Sequence, residues 1–194
     1  MSYVLEDSDG LRLSRYREYY RMKTYLLSEN WKLVLVIAVL LIGQTSASDA
    51  APEVTLDAAK AKPRAVESLT ERSILRDYKF AWANLESAME SNSASPLRAL
   101  FAGTAGTWLN DLVASQQRNG LTSRYLNQTH KVEAVFYAPE GDVIMLHDTA
   151  DYDLQILDGS KTIHNQHVTE RYVVLMTPGA DRWVIRQLQA VPHF

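Results

Sequence analysis

Cysteine is absent from this 194-residue chain. Its absence excludes disulfide frameworks, iron–sulfur clusters, thiolate zinc sites and a cysteine nucleophile. An excess of positive charge is missing as well: 20 Lys and Arg stand against 23 Asp and Glu, a formal net charge of −3. Without a global basic field the chain has no general grip on a phosphate backbone, so nucleic acid is not an expected partner. Nor does it contain a Gly-x-Ser-x-Gly elbow, a Walker loop or a dinucleotide glycine pattern. No cofactor is expected. What is there is a folded composition, 46% hydrophobic and 22% charged, at a length that allows one ordinary domain with extras.

Residues 33–48 carry no charge, and Leu33, Val34, Leu35, Val36, Ile37, Ala38, Val39, Leu40, Leu41 and Ile42 are apolar on every side of a helix. A helix hydrophobic all round belongs in a large core or in lipid, and the rest of the chain is too small to surround one. With Trp31 and Lys32 anchoring one interface and Thr45 to Ser48 extending the other, residues 31–48 read as a short transmembrane helix. Arg12, Arg15, Arg17, Arg21, Lys23 and Lys32 precede it, whereas Asp49, Glu53 and Asp57 follow before the first basic residue, Lys60. That asymmetry keeps the N-terminus in the cytoplasm. A cleavable signal peptide, starting at Met22 and cut near Ala50, is the alternative reading of the same run. The long polar lead of residues 1–32 favours the uncleaved anchor. Within it, residues 1–30 form a basic juxtamembrane segment, with Leu13, Tyr16, Tyr20, Lys23 and Leu27 on one helical stripe.

Residues 49–67 are rich in Ala and broken by Pro52 and Pro63, the pattern of a linker. A domain over 68–194 follows. Ser68-x-x-Glu71 reads as a capping box ahead of Ile74, Leu75, Tyr78, Ala81, Trp82, Leu85, Ala88 and Met89 at helical spacing, predicting a helix over 69–91. Ser95-Pro96 opens a short second helix that Gly103 ends, and a third, carrying Trp108, Leu109, Leu112 and Val113, stops at Gly120. Beyond Gly120 the period falls to two. Strands are predicted over 130–138, 143–157, 162–176 and 182–191, with Val132, Ala134 and Phe136 facing the core. The fold class is α+β: three helices packed on a curved four-stranded antiparallel sheet.

Parity along the second strand puts Asp148 on the same face as Ile144, Leu146, Ala150, Tyr152, Leu154 and Ile156. A carboxylate in a dry pocket is a candidate general acid or base. The competing expectation, given more weight, is a β-bulge that turns Asp148 outward, or a partner such as Arg171. Tyr78, Trp82 and Trp108 are the other candidate pocket residues, able to line a space between helices and sheet. His147, Asp151 and Asp153 share a strand face but sit too far apart for a compact metal shell, so no metal is expected. No catalytic residue is assigned.

Helices followed by a strongly curved four-stranded antiparallel sheet resemble the cone-shaped nuclear-transport-factor-2-like (NTF2-like) superfamily, which holds both small-molecule enzymes and partner-binding domains. Arg15-Tyr16-Arg17-Glu18-Tyr19-Tyr20 and Asn30-Trp31-Lys32-Leu33-Val34, leading into one span, are similar to VirB8-like conjugal-transfer proteins of type IV secretion systems. The chain departs from VirB8 itself in lacking its Asn-Pro-x-Gly turn, the nearest sequence being Thr177-Pro178-Gly179. The resemblance implies a non-enzymatic assembly or scaffold subunit of a bacterial inner-membrane complex, its C-terminal domain periplasmic. Implied partners are the membrane, other subunits and a homo-oligomer. A tethered or secreted enzyme, or a small-molecule-binding module with a pocket near Asp148, is the alternative.

Overall fold

The computed structural model describes residues 51–194. The segment at 1–30 and the span expected at 31–48 lie outside the described residues. Within the described residues no helix is long and apolar enough to cross a membrane.

The chain runs β1 (Glu53–Asp57), β2 (Lys62–Pro63), α1 (Ser68–Ser91), a 3-10 turn (Ser95–Leu97), α2 (Gly103–Asn119), β3 (Leu121–Tyr137), β4 (Ile144–Asp158), β5 (Lys161–Pro178) and β6 (Trp183–Val191). One sheet of six strands has the order β1-β3-β4-β5-β6, with β2 also on β3. β3 to β6 form an antiparallel meander. The result is a mixed α+β domain of two α-helices on a sheet, rather than three helices on four strands.

Three differences from expectation have local causes. Residues 53–57 and 62–63, expected as linker, are strands that pair in parallel with β3, Val54 opposite His130 and Leu56 opposite Val132. The described remainder of that linker, residues 51–52, 58–61 and 64–67, flanks and joins these strands. The stretch from Ser95 makes only a 3-10 turn, and Gly103 opens α2 instead of ending a helix. Gly103 has a φ of +57°, and a Cβ there would stand 3.0 Å from the Arg186 carbonyl oxygen, so glycine is required where helix and β6 meet. At α1 the capping box does not form: Glu67 is the N-cap, without a side-chain cap bond, and Ser68 is already helical. The Glu67 carboxylate pairs with Arg64 instead.

α1 lays Ile74, Tyr78, Ala81, Trp82, Leu85, Ala88 and Met89 on the sheet, each at most 3% exposed. Asp77 fixes the helix further: one carboxylate oxygen accepts from Arg76 Nε, the other from the Trp183 backbone N–H at 2.8 Å, tying α1 to β6. α2 ends at Gly120 in the left-handed conformation (φ +66°), its N–H closing on the Gln116 and Gln117 carbonyls.

Bulges interrupt β3 between Leu126 and Thr129 and between Ala134 and Phe136. An extra residue flips the side-chain phase. Phe136, expected to face the core, is therefore 37% exposed, and Tyr137 takes the buried place. On β4 the alternation of buried and half-buried residues is unbroken from Ile144 to Ile156.

Candidate functional site

Because β4 keeps its phase, Asp148 points into the core and is fully buried. The expected outward flip does not occur, and its partners are not Arg171. The Tyr78 hydroxyl, reaching down from α1, donates to Asp148 Oδ2 at 2.7 Å. His130 Nδ1, from the neighbouring β3, donates to the same oxygen at 2.8 Å. His130 reaches inward because it shares parity with Val132 and Ala134, and it is 1% exposed. A carboxylate accepting two bonds on one oxygen sets the imidazole proton on Nδ1. Its Nε2 lies 3.5 Å from Gln128 Oε1.

Aromatic rings close around this network. Trp82 lies tilted against the imidazole, ring centroids 4.3 Å apart, and Tyr78 meets it edge-on at 6.1 Å. Tyr172, from β5, packs on the other side of Trp82 at 5.6 Å. Burial drives the Tyr78 hydroxyl well above its ordinary range, the Asp148 charge and hydrogen bond add to this, and Trp82 opposes it. Tyr172 is raised well above its ordinary value for the same first reason, burial, and Tyr152 is pushed up to about 12.

The structure thus brings together Tyr78, Trp82 and Asp148 of the sequence candidates, while Trp108 sits half-buried on α2. Sequence reasoning missed His130 and Gln128. The signal for His130 was its parity with apolar neighbours; for Gln128 the bulge beside it removed any signal. Asp148 Oδ1 and Gln128 Nε2 are buried without a hydrogen-bond partner. The space against Tyr78, walled by Val54, Leu56, Ile74, Leu75, Val132 and Leu146, is too narrow for a water molecule. A shallow groove of about 460 Å³, which shares Leu56 and Val132 with that space, opens along Thr55, Lys131, His147 and Phe194.

On the solvent side of the sheet His167 sits between two carboxylates, Nε2 3.2 Å from Asp151 and Nδ1 2.9 Å from Asp153. Among the described residues no three His, Asp or Glu side chains are gathered to hold a metal ion.

No family model matches the chain, and no curated protein matches it. Among solved structures it is similar to the intermembrane space region of the chloroplast protein ARC6, with a TM-score of 0.48 and 14% identity, over 66% of this chain and 98% of that one.

Proposed function

We propose that this chain is a non-enzymatic assembly or scaffold subunit of a bacterial inner-membrane or envelope-spanning complex, VirB8-like in plan. In this reading residues 31–48 anchor it, residues 1–30 face the cytoplasm, and an NTF2-like domain binds partner proteins in the periplasm. The observation that supports it is the filled interior. Tyr78 and His130 are both bonded to Asp148 Oδ2, and the space against Tyr78 admits no water. Apolar side chains stand outside instead, with Leu69 72%, Phe80 48% and Phe194 50% exposed. Solubilising membranes gently and purifying the full chain tests this: recovery with other membrane-complex subunits is the expected result, and a solitary chain overturns it.

A second reading, a small-molecule-binding or catalytic module, draws on the unpartnered Asp148 Oδ1 beside Trp82 and His130. It requires the interior to open. A panel of small apolar ligands would then raise the thermal midpoint of the wild type and lose that effect with Asp148→Asn. No stabilisation by any member removes this reading.

A further inference from the structure

α1 packs on the face of the sheet that carries Asp148, and residues of the opposite parity point to the other face. On that outer face the pairing register sets Thr55 of β1, Lys131 of β3, Thr149 of β4 and Arg171 of β5 in one cross-strand row. Opposed residues on neighbouring strands hold their Cβ atoms about 5 Å apart, so the Lys131 stem rises between two hydroxyls. In the next row His147 lies opposite Glu133. Thr55, Lys131, His147 and Thr149 line the groove of about 460 Å³, a volume suited to a small molecule. Phe194 forms part of its wall, stacked on the His147 imidazole with ring centroids 4.2 Å apart and planes 4° from parallel.

The charges already engaged decide what the groove fits. Glu133 pairs with Lys60 at 2.7 Å, and Asp57, also beside Lys60, accepts from the Ala59 N–H through Oδ1 at 2.9 Å. Asp151, two residues beyond Thr149, is held by His167 and by the Thr169 hydroxyl. The Lys131 ammonium, the Thr149 hydroxyl and the His147 ring nitrogens, by contrast, have no hydrogen-bond or ion-pair partner among the described residues. Three donors of unspent capacity therefore converge on one hollow.

We propose that this groove binds a small planar aromatic carboxylate, its charge held by Lys131 and Thr149 and its ring laid against Phe194. The separation suits such a molecule. Thr149 and His147 stand on one strand face about 7 Å apart, and Phe194 lies on His147, so the anion and the stacking surface are one short aromatic molecule apart. The single lysine of the groove matches a single negative charge. A phosphate dianion would bring a second charge among Asp57, Glu133 and Asp151 with nothing to balance it. Because the groove lies on the face opposite Asp148, neither the assembly reading nor the interior pocket depends on it.

Naphthoate, which is fluorescent, is a probe of this class. Titrating the full-length chain in detergent into naphthoate should raise its anisotropy to a saturating plateau above that of empty micelles. Naphthamide, with the same ring and no charge, should bind about tenfold more weakly. Lys131→Gln and Phe194→Ala should each weaken naphthoate binding about tenfold with unchanged urea midpoints, while Lys161→Gln, at the start of β5, should leave it as in the wild type. Absence of saturable binding, or equal binding of naphthamide by the wild type, overturns the proposal without recourse to any variant. Binding indifferent to both Lys131→Gln and Phe194→Ala places the probe elsewhere and overturns it as well.

Discussion

Asp148 is the residue on which the interior turns. A carboxylate without solvent is tolerable only when its oxygens are bonded, and Tyr78 and His130 supply two bonds to one of them. Replacing Tyr78 by Phe keeps the ring and removes one donor, which should cost about 1–3 kcal/mol in a urea unfolding measurement. A cost near zero would mean that the Tyr78 bond adds nothing to the fold. The tyrosines also set a pH window. An unfolded tyrosine ionises near pH 10, whereas folded Tyr78 and Tyr172 ionise well above that and Tyr152 at about 12. The neutral form is the one the fold holds, so this contribution is complete below pH 10 and is lost as pH rises from 10 through the folded values. Urea midpoints taken across pH 9–12 should fall above 10, less steeply for Tyr78→Phe than for the wild type. At this scale the sequence was partly legible. Strand parity put Asp148 on the apolar face but could not tell an unbroken strand from a bulged one that turns it outward, and its partners lie 70 and 18 residues away, a distance that periodicity does not reach.

Elements were legible where their pattern is local. The apolar spacing of α1 and the glycine that stops α2 are written within single stretches, and helices form there. β1 and β2 were not legible, because a strand of five residues beside Ala and Pro carries too few alternations to register. Its role is supplied by β3, which offers a parallel edge at Thr129 to Glu133. Leu56 then faces Ile74, Tyr78, Val132 and Leu146 across the narrow space they share. Leu56→Ala should lower stability by about 1–3 kcal/mol, where a linker residue would show no change. Gly103 offers a second test: Gly103→Ala forces a left-handed backbone on an L-residue and crowds Arg186, and should cost about 1–2 kcal/mol by thermal or urea unfolding. An unchanged midpoint would show that the α2 start shifts freely. The β3 bulge explains why Phe136 was misread, since one inserted residue exchanges it with Tyr137 without altering composition.

For the whole molecule the proposed topology is open to direct test. Protease added outside intact spheroplasts should digest the C-terminal domain and spare an epitope placed before residue 10, and the reverse pattern would turn the orientation around. Such a result is independent of whether the described domain docks to other subunits, to a second copy, or to both. By itself the sequence determined the uncharged apolar run, the charge asymmetry around it, the change from helical to twofold period after Gly120 and the shared parity of Asp148 with Ile144 and Leu146, because each of these is a property of neighbours along the chain. Only the tertiary structure decided that the supposed linker adds two strands to the sheet and that Phe136 turns outward. It also decided that Tyr78, His130 and Asp148 close on one another and that Lys131, His147 and Thr149 share one groove. Each of these depends on which distant segment lies alongside, and pairing between strands and packing across the sheet are written in no single stretch of residues.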